Sequence, residues 1–465
     1  MESHELRREL NLRDVVLTQI VYVVGITWVG TAAKLGRSQI VFWLAAMLLF
    51  YLPQAAVVIH LTTRMPLEGG LYQWAKIGLG DAAGYMVAWN LWMYAVLLIS
   101  TVGLIVTTNL SYAFVGLTDI AANKYLIAGS NCAIIGVLAV LAIVGLRTSK
   151  WVHNVGSISL MIAFAVLIAL PFIHSARGTI PTYHPLAIAA PAFTLLSLNI
   201  FGKMAVGALS GFEYVAVLAG ECKDPARTIG GGTLIAAPII AVMFIFGTSS
   251  VLALVPDNHI DLIGPIPQSL RNGLGVTGLG AIAAPIAIVL LTGRTFGNMS
   301  IVFTATSRLP MVAGWDRLLP EWFTRLSPKA RTPVNSIIFV AVVSMVFSLW
   351  GIAGVGAQEA YQILENCAGI FYGITYLVLF AVPLAGLAAV GGNVPLWLRL
   401  ACVAGLGTTI LYTALSIFPI IEVTSWVSFG LKVGGVIVIA NLIGYALYVV
   451  GRTVERPTPI REEPA

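Results

Sequence analysis

The chain has 465 residues, of which 58% are hydrophobic and only 10% are charged. An average soluble domain carries about 25% charged residues. This composition therefore excludes a soluble globular fold and indicates an all-α, multi-pass integral membrane protein in contact with lipid. The formal net charge of +6 does not predict nucleic-acid binding, because most basic residues fall in short connections between apolar segments.

Apolar segments of about 20 residues are long enough to cross a bilayer core of about 30 Å. The sequence predicts twelve such spans, at residues 13–36, 38–63, 82–112, 125–146, 151–174, 200–219, 228–255, 276–306, 333–353, 358–385, 395–418 and 425–451. Of the 26 Lys and Arg residues, 18 fall on the side of the N-terminus, and the six on the other side include Lys34 and Lys203. This bias predicts cytoplasmic termini. The expected location is the plasma (inner) membrane.

Two of the predicted spans contain interruptions. Span one reads Gly25-Ile-Thr-Trp-Val-Gly-Thr31, and span six reads Gly207-Ala-Leu-Ser-Gly-Phe-Glu213. Interrupted segments in corresponding places, five spans apart, indicate an inverted-repeat transporter with a site near the bilayer midplane. Unwound backbone can bind a carboxylate at freed N–H groups and an ammonium at freed carbonyls. The alternative interpretation is that these glycines are close-packing positions, which are common in membrane helices.

Enzymatic and ATP-driven functions lack their sequence signatures. There is no GxxxxGK[ST] motif, no nucleophile elbow and no paired-histidine spacing. The four cysteines lie far apart, without the spacing of a metal site or a disulfide framework. We therefore expect neither an enzyme nor a bound metal or cofactor.

Several motifs resemble those of a known transporter family. The stretch Gly211-Phe-Glu-Tyr-Val-Ala-Val-Leu-Ala-Gly-Glu-Cys-Lys-Asp-Pro-Ala-Arg-Thr-Ile229 is similar to the sixth-helix signature of the amino acid–polyamine–organocation transporters. Further resemblances lie at Asn11–Asp14, at Pro66–Trp74, and from Ser307 through Pro333. The resemblance covers nearly the whole chain, and its motifs are specific for the superfamily but weak for the substrate.

The resemblance implies a broken-helix, LeuT-like fold with a five-plus-five inverted repeat and two additional C-terminal helices. The expected organisation is a cytoplasmic segment 1–12, a ten-helix core 13–385 with repeats at 13–174 and 200–385, helices eleven and twelve at 386–451, and a cytoplasmic tail 452–465. The implied function is secondary active transport of an amino acid by alternating access, through proton-coupled symport or exchange. Coupling to sodium, transport of polyamines and the oligomeric state stay open. A channel or membrane scaffold would leave the paired interruptions unexplained.

The predicted substrate site combines both interruptions with one tyrosine that matches a family position near the pocket. Its residues are Gly25, Thr27, Trp28, Gly30, Thr31, Gly207, Ala208, Ser210, Gly211, Phe212 and Tyr376. Two departures from the family pattern stand out. Gly207 occupies the place of an aromatic gate in the arginine–agmatine exchangers, so the pocket is either wider or gated by Trp28 or Phe212. Leu160 falls where some proton-coupled relatives carry a lysine.

Charged residues inside the spans are candidates for coupling and gating. Glu213, beside the span-six interruption, is the predicted proton-coupling group, because a charge at this depth costs about 2.5–3.5 kcal/mol on insertion scales and needs a function or a partner. The alternative is a structural carboxylate that accepts backbone hydrogen bonds. Glu365 is predicted to pair with Arg294 or Lys34, either as an outer gate or as a structural bridge.

Overall fold

The computed structural model describes residues 12–65, 70–121, 123–144, 149–212, 225–256, 259–312, 321–327, 332–386 and 394–454. All regular secondary structure in these ranges is helical. The helices are α1 (Leu12–Val23), α2 (Trp28–Ala33), α3 (Gly36–Arg64), α4 (Leu71–Leu79), α5 (Asp81–Ala113), α6 (Lys124–Val144), α7 (Ser149–Ala176), α8 (Leu195–Ala208), α9 (Pro225–Leu254), α10 (Pro265–Leu274), α11 (Gly280–Val312), α12 (Glu321–Thr324), α13 (Val334–Ile352), α14 (Ala357–Ala381), α15 (Leu396–Leu415) and α16 (Trp426–Val454).

Ten helices in the described ranges are long and apolar enough to cross a membrane. They coincide with ten of the predicted spans, so the chain is a multi-pass integral membrane protein. The two predicted spans without a full-length helix are spans one and six, the pair that contains the interruptions. The all-helical, broken-helix architecture is thus confirmed, while the count of twelve spans stays a prediction.

The first interruption separates α1 from α2. Residues Val24–Thr27 are non-helical, and helical geometry resumes at Trp28. The Thr27 carbonyl accepts hydrogen bonds from the N–H groups of Gly30 and Thr31, at 3.1 and 3.4 Å, and so starts the new helix. The irregular backbone is therefore shorter than the sequence predicted, because Trp28 to Thr31 belong to α2.

The second interruption follows α8. This helix begins with a capping box, in which the Thr194 side chain accepts from the Ser197 N–H and the Ser197 hydroxyl accepts from the Thr194 N–H. Its last part, Lys203–Ala208, is π-helical. Ser210 and Gly211 are non-helical, and Gly211 has φ +109°, a conformation that favours glycine. Residues 213–224, including Glu213, lie outside the described residues.

Packing places α14 in the centre of the bundle. It contacts α5, α13, α15 and α16, while α1 and α2 pack against α9. Many outer helix faces remain apolar; on α16, for example, Val438, Leu442 and Ile443 are 50–64% exposed. Such faces match a lipid environment, because hydrocarbon tails solvate them without cost.

A short helix covers the end of α2. Pro265, the first residue of α10, packs so closely on Gly30 that a Cβ at Gly30 would lie 2.6 Å from the proline Cβ. The Asp261 carboxylate fixes the approach to α10 by accepting from the N–H groups of Ile263 and Gly264, at 2.8 and 3.1 Å. The same carboxylate accepts from Gln358 on α14 at 2.6 Å, so the covering helix is tied to the central helix.

Candidate functional site

A cavity of about 410 Å³ lies between the two helix interruptions. Its walls come from residues 23–28, from the end of α8 with Ser210 and Gly211, and from α5, α11 and α14. The volume falls within the range of about 300–1,000 Å³ typical of small-molecule sites. Interrupted backbone is tolerated at membrane depth where it lines such a cavity, which explains why both breaks meet here.

Most of the residues that the sequence predicted for the site border this cavity. They are Gly25, Thr27, Trp28, Gly207, Ala208, Ser210, Gly211, Arg294 and Glu365. Gly30, Thr31, Phe212, Tyr376 and Lys34 do not line it. Thr31 is 3% exposed and Phe212 is fully buried, in edge-to-face contact with Tyr51. Glu213 cannot be placed, because it lies outside the described residues.

The ring beside Gly207 comes from the other interrupted helix. A Cβ built on Gly207 would collide with the six-membered ring of Trp28, and a Cβ on Gly25 would lie 2.6 Å from the Trp28 Cδ1 atom. The indole therefore occupies the space left by the missing side chain at residue 207. Of the two rings that the sequence offered in place of the family's aromatic gate, Trp28 lines the cavity and Phe212 does not.

Two side chains hold the second interruption in shape. The Tyr376 hydroxyl accepts a hydrogen bond from the Gly211 N–H at 2.9 Å. The Gln54 side-chain amide of α3 donates to the Leu209 carbonyl. Both contacts satisfy backbone groups that the end of the helix leaves without a partner in the helix. Tyr376 thus stabilises the interruption through its hydrogen bond to Gly211, although it does not line the cavity.

Two side chains of opposite charge, Lys203 and Glu365, interact electrostatically between the end of α8 and α14. Lys203 is 3% exposed, and its ammonium donates to the side-chain carbonyl of Asn366. The same ammonium interacts electrostatically with the carboxylate of the adjacent residue, Glu365. Glu365 is only partly buried, because it borders the cavity. The Lys203 ammonium is therefore buried, whereas the Glu365 carboxylate borders the cavity.

Tyr361 extends this pair to the first interruption. Its hydroxyl lies close enough to interact with both the Glu365 carboxylate and the Thr27 side chain. Tyr361 is 4% exposed and lies one helical turn before Glu365 on α14. Polar and charged side chains therefore extend from Lys203 before the second interruption, along α14, to Thr27 in the first.

The predicted gate partners of Glu365 have different positions. Lys34 is exposed and interacts electrostatically with Glu422, away from the cavity. Arg294 borders the same cavity as Glu365, from α11. The outer-gate assignment of these three residues stays a prediction. The lysine that interacts electrostatically with the Glu365 carboxylate is Lys203.

Sequence reasoning missed Lys203 because it placed the start of the helix too late. A predicted span that starts at residue 200 puts Lys203 in its first turn, at the outer end of the span and beside the outer connection. The capping box instead starts α8 at Leu195, so Lys203 lies about 12 Å inside the helix at 1.5 Å per residue. The Thr194–Ser197 pair was the available signal, since Ser and Thr are favoured at helix starts.

Aromatic cavity residues were also missed. Tyr94 of α5 and Tyr372 of α14 stack with ring centroids 4.2 Å apart and an interplanar angle of 9°. Both line the cavity. Their helices are separated by about 280 residues in sequence, so no local pattern could show that these rings meet.

Comparison with solved structures defines the class. The crystal structure of MhsT in complex with L-phenylalanine matches with a TM-score of 0.58, covering 86% of this chain and 97% of that one at 14% identity. Together with the paired interruptions, this similarity establishes a LeuT-like transporter fold. The amino acid permease family model matches residues 15–384, and the chain therefore belongs to the amino acid permease family of the amino acid–polyamine–organocation superfamily.

Curated relatives are transporters of several kinds. An uncharacterized transporter of Legionella pneumophila is 25% identical over 81% of this chain and 80% of its own length. A probable agmatine/putrescine antiporter of Lactococcus lactis is 22% identical over 69% of this chain and 67% of its own. Cationic amino acid transporter 7 of Arabidopsis thaliana is 26% identical, over 75% of this chain and 62% of its own.

Proposed function

We propose that this protein is a secondary active transporter that moves an amino acid across the cytoplasmic membrane by alternating access, through proton-coupled symport or exchange. The observation that carries the proposal is the cavity between the two helix interruptions. It brings backbone at Gly25 and Gly211 together with side chains of α5, α11 and α14 in a space that suits a small molecule.

An amino acid has both charged and apolar parts, and the cavity offers partners for each. Backbone at Gly25–Ile26 and at Ser210 lies outside regular helix and suits the α-carboxylate and the ammonium, whereas the Gly211 N–H and the Thr27 carbonyl already have hydrogen-bond partners. Trp28, Tyr94 and Tyr372 supply aromatic surface for a side chain. Among the described lining residues, the ionisable charges are one carboxylate, Glu365, and one guanidinium, Arg294. This balance suits a zwitterion better than a polycation.

A polyamine is the second candidate, supported by the carboxylate in the cavity wall and by the similarity to a probable agmatine/putrescine antiporter. The electrostatic argument against it is the positive charge of Lys203, which interacts with the Glu365 carboxylate and weakens the attraction of that carboxylate for a further cation.

Thermal unfolding of the purified full-length protein tests these alternatives. The ligands are the standard L-amino acids, agmatine, putrescine and spermidine, each with and without sodium and at two pH values. A ligand present at 100 times its Kd stabilises the folded state by about 2.7 kcal/mol. Stabilisation by amino acids supports the proposal, stabilisation by amines alone replaces it with the polyamine function, and stabilisation by none of them contradicts it.

Transport itself is measured by counterflow in proteoliposomes, in which unlabelled substrate inside drives uptake of labelled substrate. Saturable counterflow supports a carrier. A channel would give fluxes that rise in proportion to concentration, and a scaffold would give none. Either result contradicts the proposal.

A further inference from the structure

Lys203 and Glu365 bridge the two interrupted helices by way of α14. Lys203 lies at the start of the π-helical end of α8, and Glu365 contacts Thr27 of the first interruption through Tyr361. A change in the charge of Lys203 or Glu365 would therefore affect the contacts of both interrupted helices.

The two partners differ in access to the cavity. Lys203 is 3% exposed and is held by Asn366, which is itself fully buried. Glu365 borders the cavity. A proton that arrives through the cavity can therefore reach the carboxylate, whereas the ammonium is sealed behind it. An unpaired charge in such surroundings is costly, and a pair of opposite charges is tolerated because it is neutral as a unit.

We propose that Glu365 is the proton-binding group that couples proton movement to substrate movement, with Lys203 as its fixed counter-charge. The inference rests on the proposed transport function and deepens it. A proton from water on the acidic side of the membrane adds to a carboxylate oxygen of Glu365 and leaves again to water on the other side. No covalent bond to the substrate forms or breaks.

Protonation changes both contacts of the carboxylate. A neutral carboxyl no longer attracts the Lys203 ammonium, which is left with Asn366. It is also a weaker acceptor for the Tyr361 hydroxyl, since charge-assisted hydrogen bonds are roughly twice as strong as neutral ones. The interactions between α14 and both interruptions are therefore stronger when Glu365 is charged and weaker when it is neutral. This difference allows the site to rearrange only with the proton bound.

Other ionisable groups around Glu365 do not replace it. Those that face it or share its cavity, from its own helix and the helices packed around it, are Lys203, Tyr361, Tyr372, Tyr94, Arg294 and Tyr412. Asp261 acts on Tyr361 from the connection before α10. Arginine stays protonated in proteins. Among the described residues that line the cavity, Glu365 is the only carboxylate.

The test uses full-length protein in proteoliposomes that contain the pH-sensitive dye pyranine. The transported probe is a radiolabelled mixture of the standard L-amino acids. Counterflow at equal pH measures transport alone, and accumulation under an acidic-outside gradient measures coupling. For one proton per substrate, a gradient of about one pH unit sustains about tenfold accumulation, because each pH unit and each tenfold concentration ratio correspond to the same free energy.

The variants separate coupling from folding. We expect Glu365→Gln to retain measurable counterflow, at a lower rate, while gradient-driven accumulation and the dye response disappear. Glu359→Gln is the matched control, because Glu359 is a buried glutamate on the same helix that does not line the cavity, and it should behave like the wild type. Lys203→Met combined with Glu365→Gln removes both charges together, which avoids a buried unpaired charge. It should be as uncoupled as Glu365→Gln.

The outcomes are distinguishable. Gradient-driven accumulation that survives in Glu365→Gln or in the double variant overturns the inference, as does its loss in Glu213→Gln but not in Glu365→Gln. Wild-type counterflow without any proton response also overturns it but leaves the transport function standing. Absence of counterflow in the wild type means that the proposed function itself fails.

A measurement on the wild type covers the case in which the variants do not fold. Dicyclohexylcarbodiimide reacts with protonated carboxyl groups in apolar surroundings, and mass spectrometry locates the adduct. Labelling of Glu365 that increases as the pH falls supports the inference. Labelling that is absent at every pH contradicts it.

Discussion

The indole of Trp28 lies against the backbone of Gly207, so a residue from one interrupted helix fills the space beside the other. Both residues line the central cavity. The family resemblance suggested an aromatic gate at residue 207, and the glycine there left its replacement open. The packing indicates that the missing ring and the tryptophan are complementary features: Trp28 fits only because residue 207 has no side chain.

The first prediction concerns this pair. Gly207→Ala should weaken substrate binding about tenfold, because overpacking costs about 1–3 kcal/mol and the displaced indole moves into the cavity. The measurement is the thermal stabilisation of the variant as a function of ligand concentration, with the amino acid that stabilises the wild type most.

Two further variants control this prediction. Trp28→Phe added to Gly207→Ala should restore part of the affinity by making room. Gly407→Ala, on α15, is the matched glycine control, since a Cβ there meets no atom within 4 Å. If the affinity of Gly207→Ala equals that of Gly407→Ala, the proposed packing role of residue 207 is wrong.

The second prediction concerns the support of the second interruption. Tyr376→Phe removes the acceptor of the Gly211 N–H. A buried donor without a partner costs about 1–3 kcal/mol, so the midpoint of thermal unfolding should fall. Since Tyr376 does not line the cavity, binding should suffer less than stability. Tyr125→Phe, at a position 76% exposed, serves as the control. An unchanged midpoint in Tyr376→Phe would count against this role.

The third prediction concerns the contact between Tyr361 and Thr27. Tyr361→Phe and Thr27→Val each remove one side of the same interaction, so their effects on substrate affinity should not add. The loss of substrate affinity in the double variant should be smaller than the sum of the losses in the two single variants. The difference, which is the coupling free energy, should be about 0.5–3 kcal/mol. Additive effects in binding titrations would show that the two hydroxyls act independently.

The fourth prediction concerns the anchor of α10. Asp261→Ala deprives the N–H groups of Ile263 and Gly264, the Gln358 amide and the Tyr112 hydroxyl of their acceptor. The variant should lose at least about 2 kcal/mol of stability, because several donors are left unsatisfied at once. Limited proteolysis should also cut faster near α10, where the anchor has been lost.

The control for Asp261 is another aspartate on the protein surface. The Asp81 Oδ1 atom lies 3.9 Å from the Lys76 Nζ atom, and both side chains are about half exposed. An exposed ion pair of this kind contributes about 0–1 kcal/mol, so Asp81→Ala should change the unfolding midpoint little. Equal losses of stability in Asp261→Ala and Asp81→Ala would indicate that the hydrogen bonds of Asp261 stabilise the protein no more than an exposed ion pair does.

Composition and local pattern were enough to predict the class of fold. Long apolar segments must form helices in a bilayer, because every backbone polar group needs an internal partner. The same rule made Gly25 and Gly207 informative, since they mark where that pattern fails. The interruptions were predicted in the correct spans, although the first is shorter than expected and ends at Thr27.

Local pattern was less reliable for individual charges. Glu365 stood out as a carboxylate inside a span, and it borders the cavity, while its predicted role as an outer gate stays a prediction. The lysine that interacts with it, Lys203, was not predicted from the sequence. Lys203 looked like a residue at the outer end of a span because the sequence window does not show where a helix begins to within several residues.

The sequence by itself therefore determined the membrane-spanning helical fold, the places where two helices are interrupted, and the family. The fold and the interruptions follow from the chemistry of short segments, each of which must satisfy its own backbone within the membrane, and the family follows from the resemblance of local motifs. Only the tertiary structure decided that Trp28 fills the space at Gly207, that Tyr376 supports Gly211, and that Glu365 interacts electrostatically with Lys203. These pairs join residues far apart in the chain, and their contacts depend on how the helices pack, a property that no single segment contains.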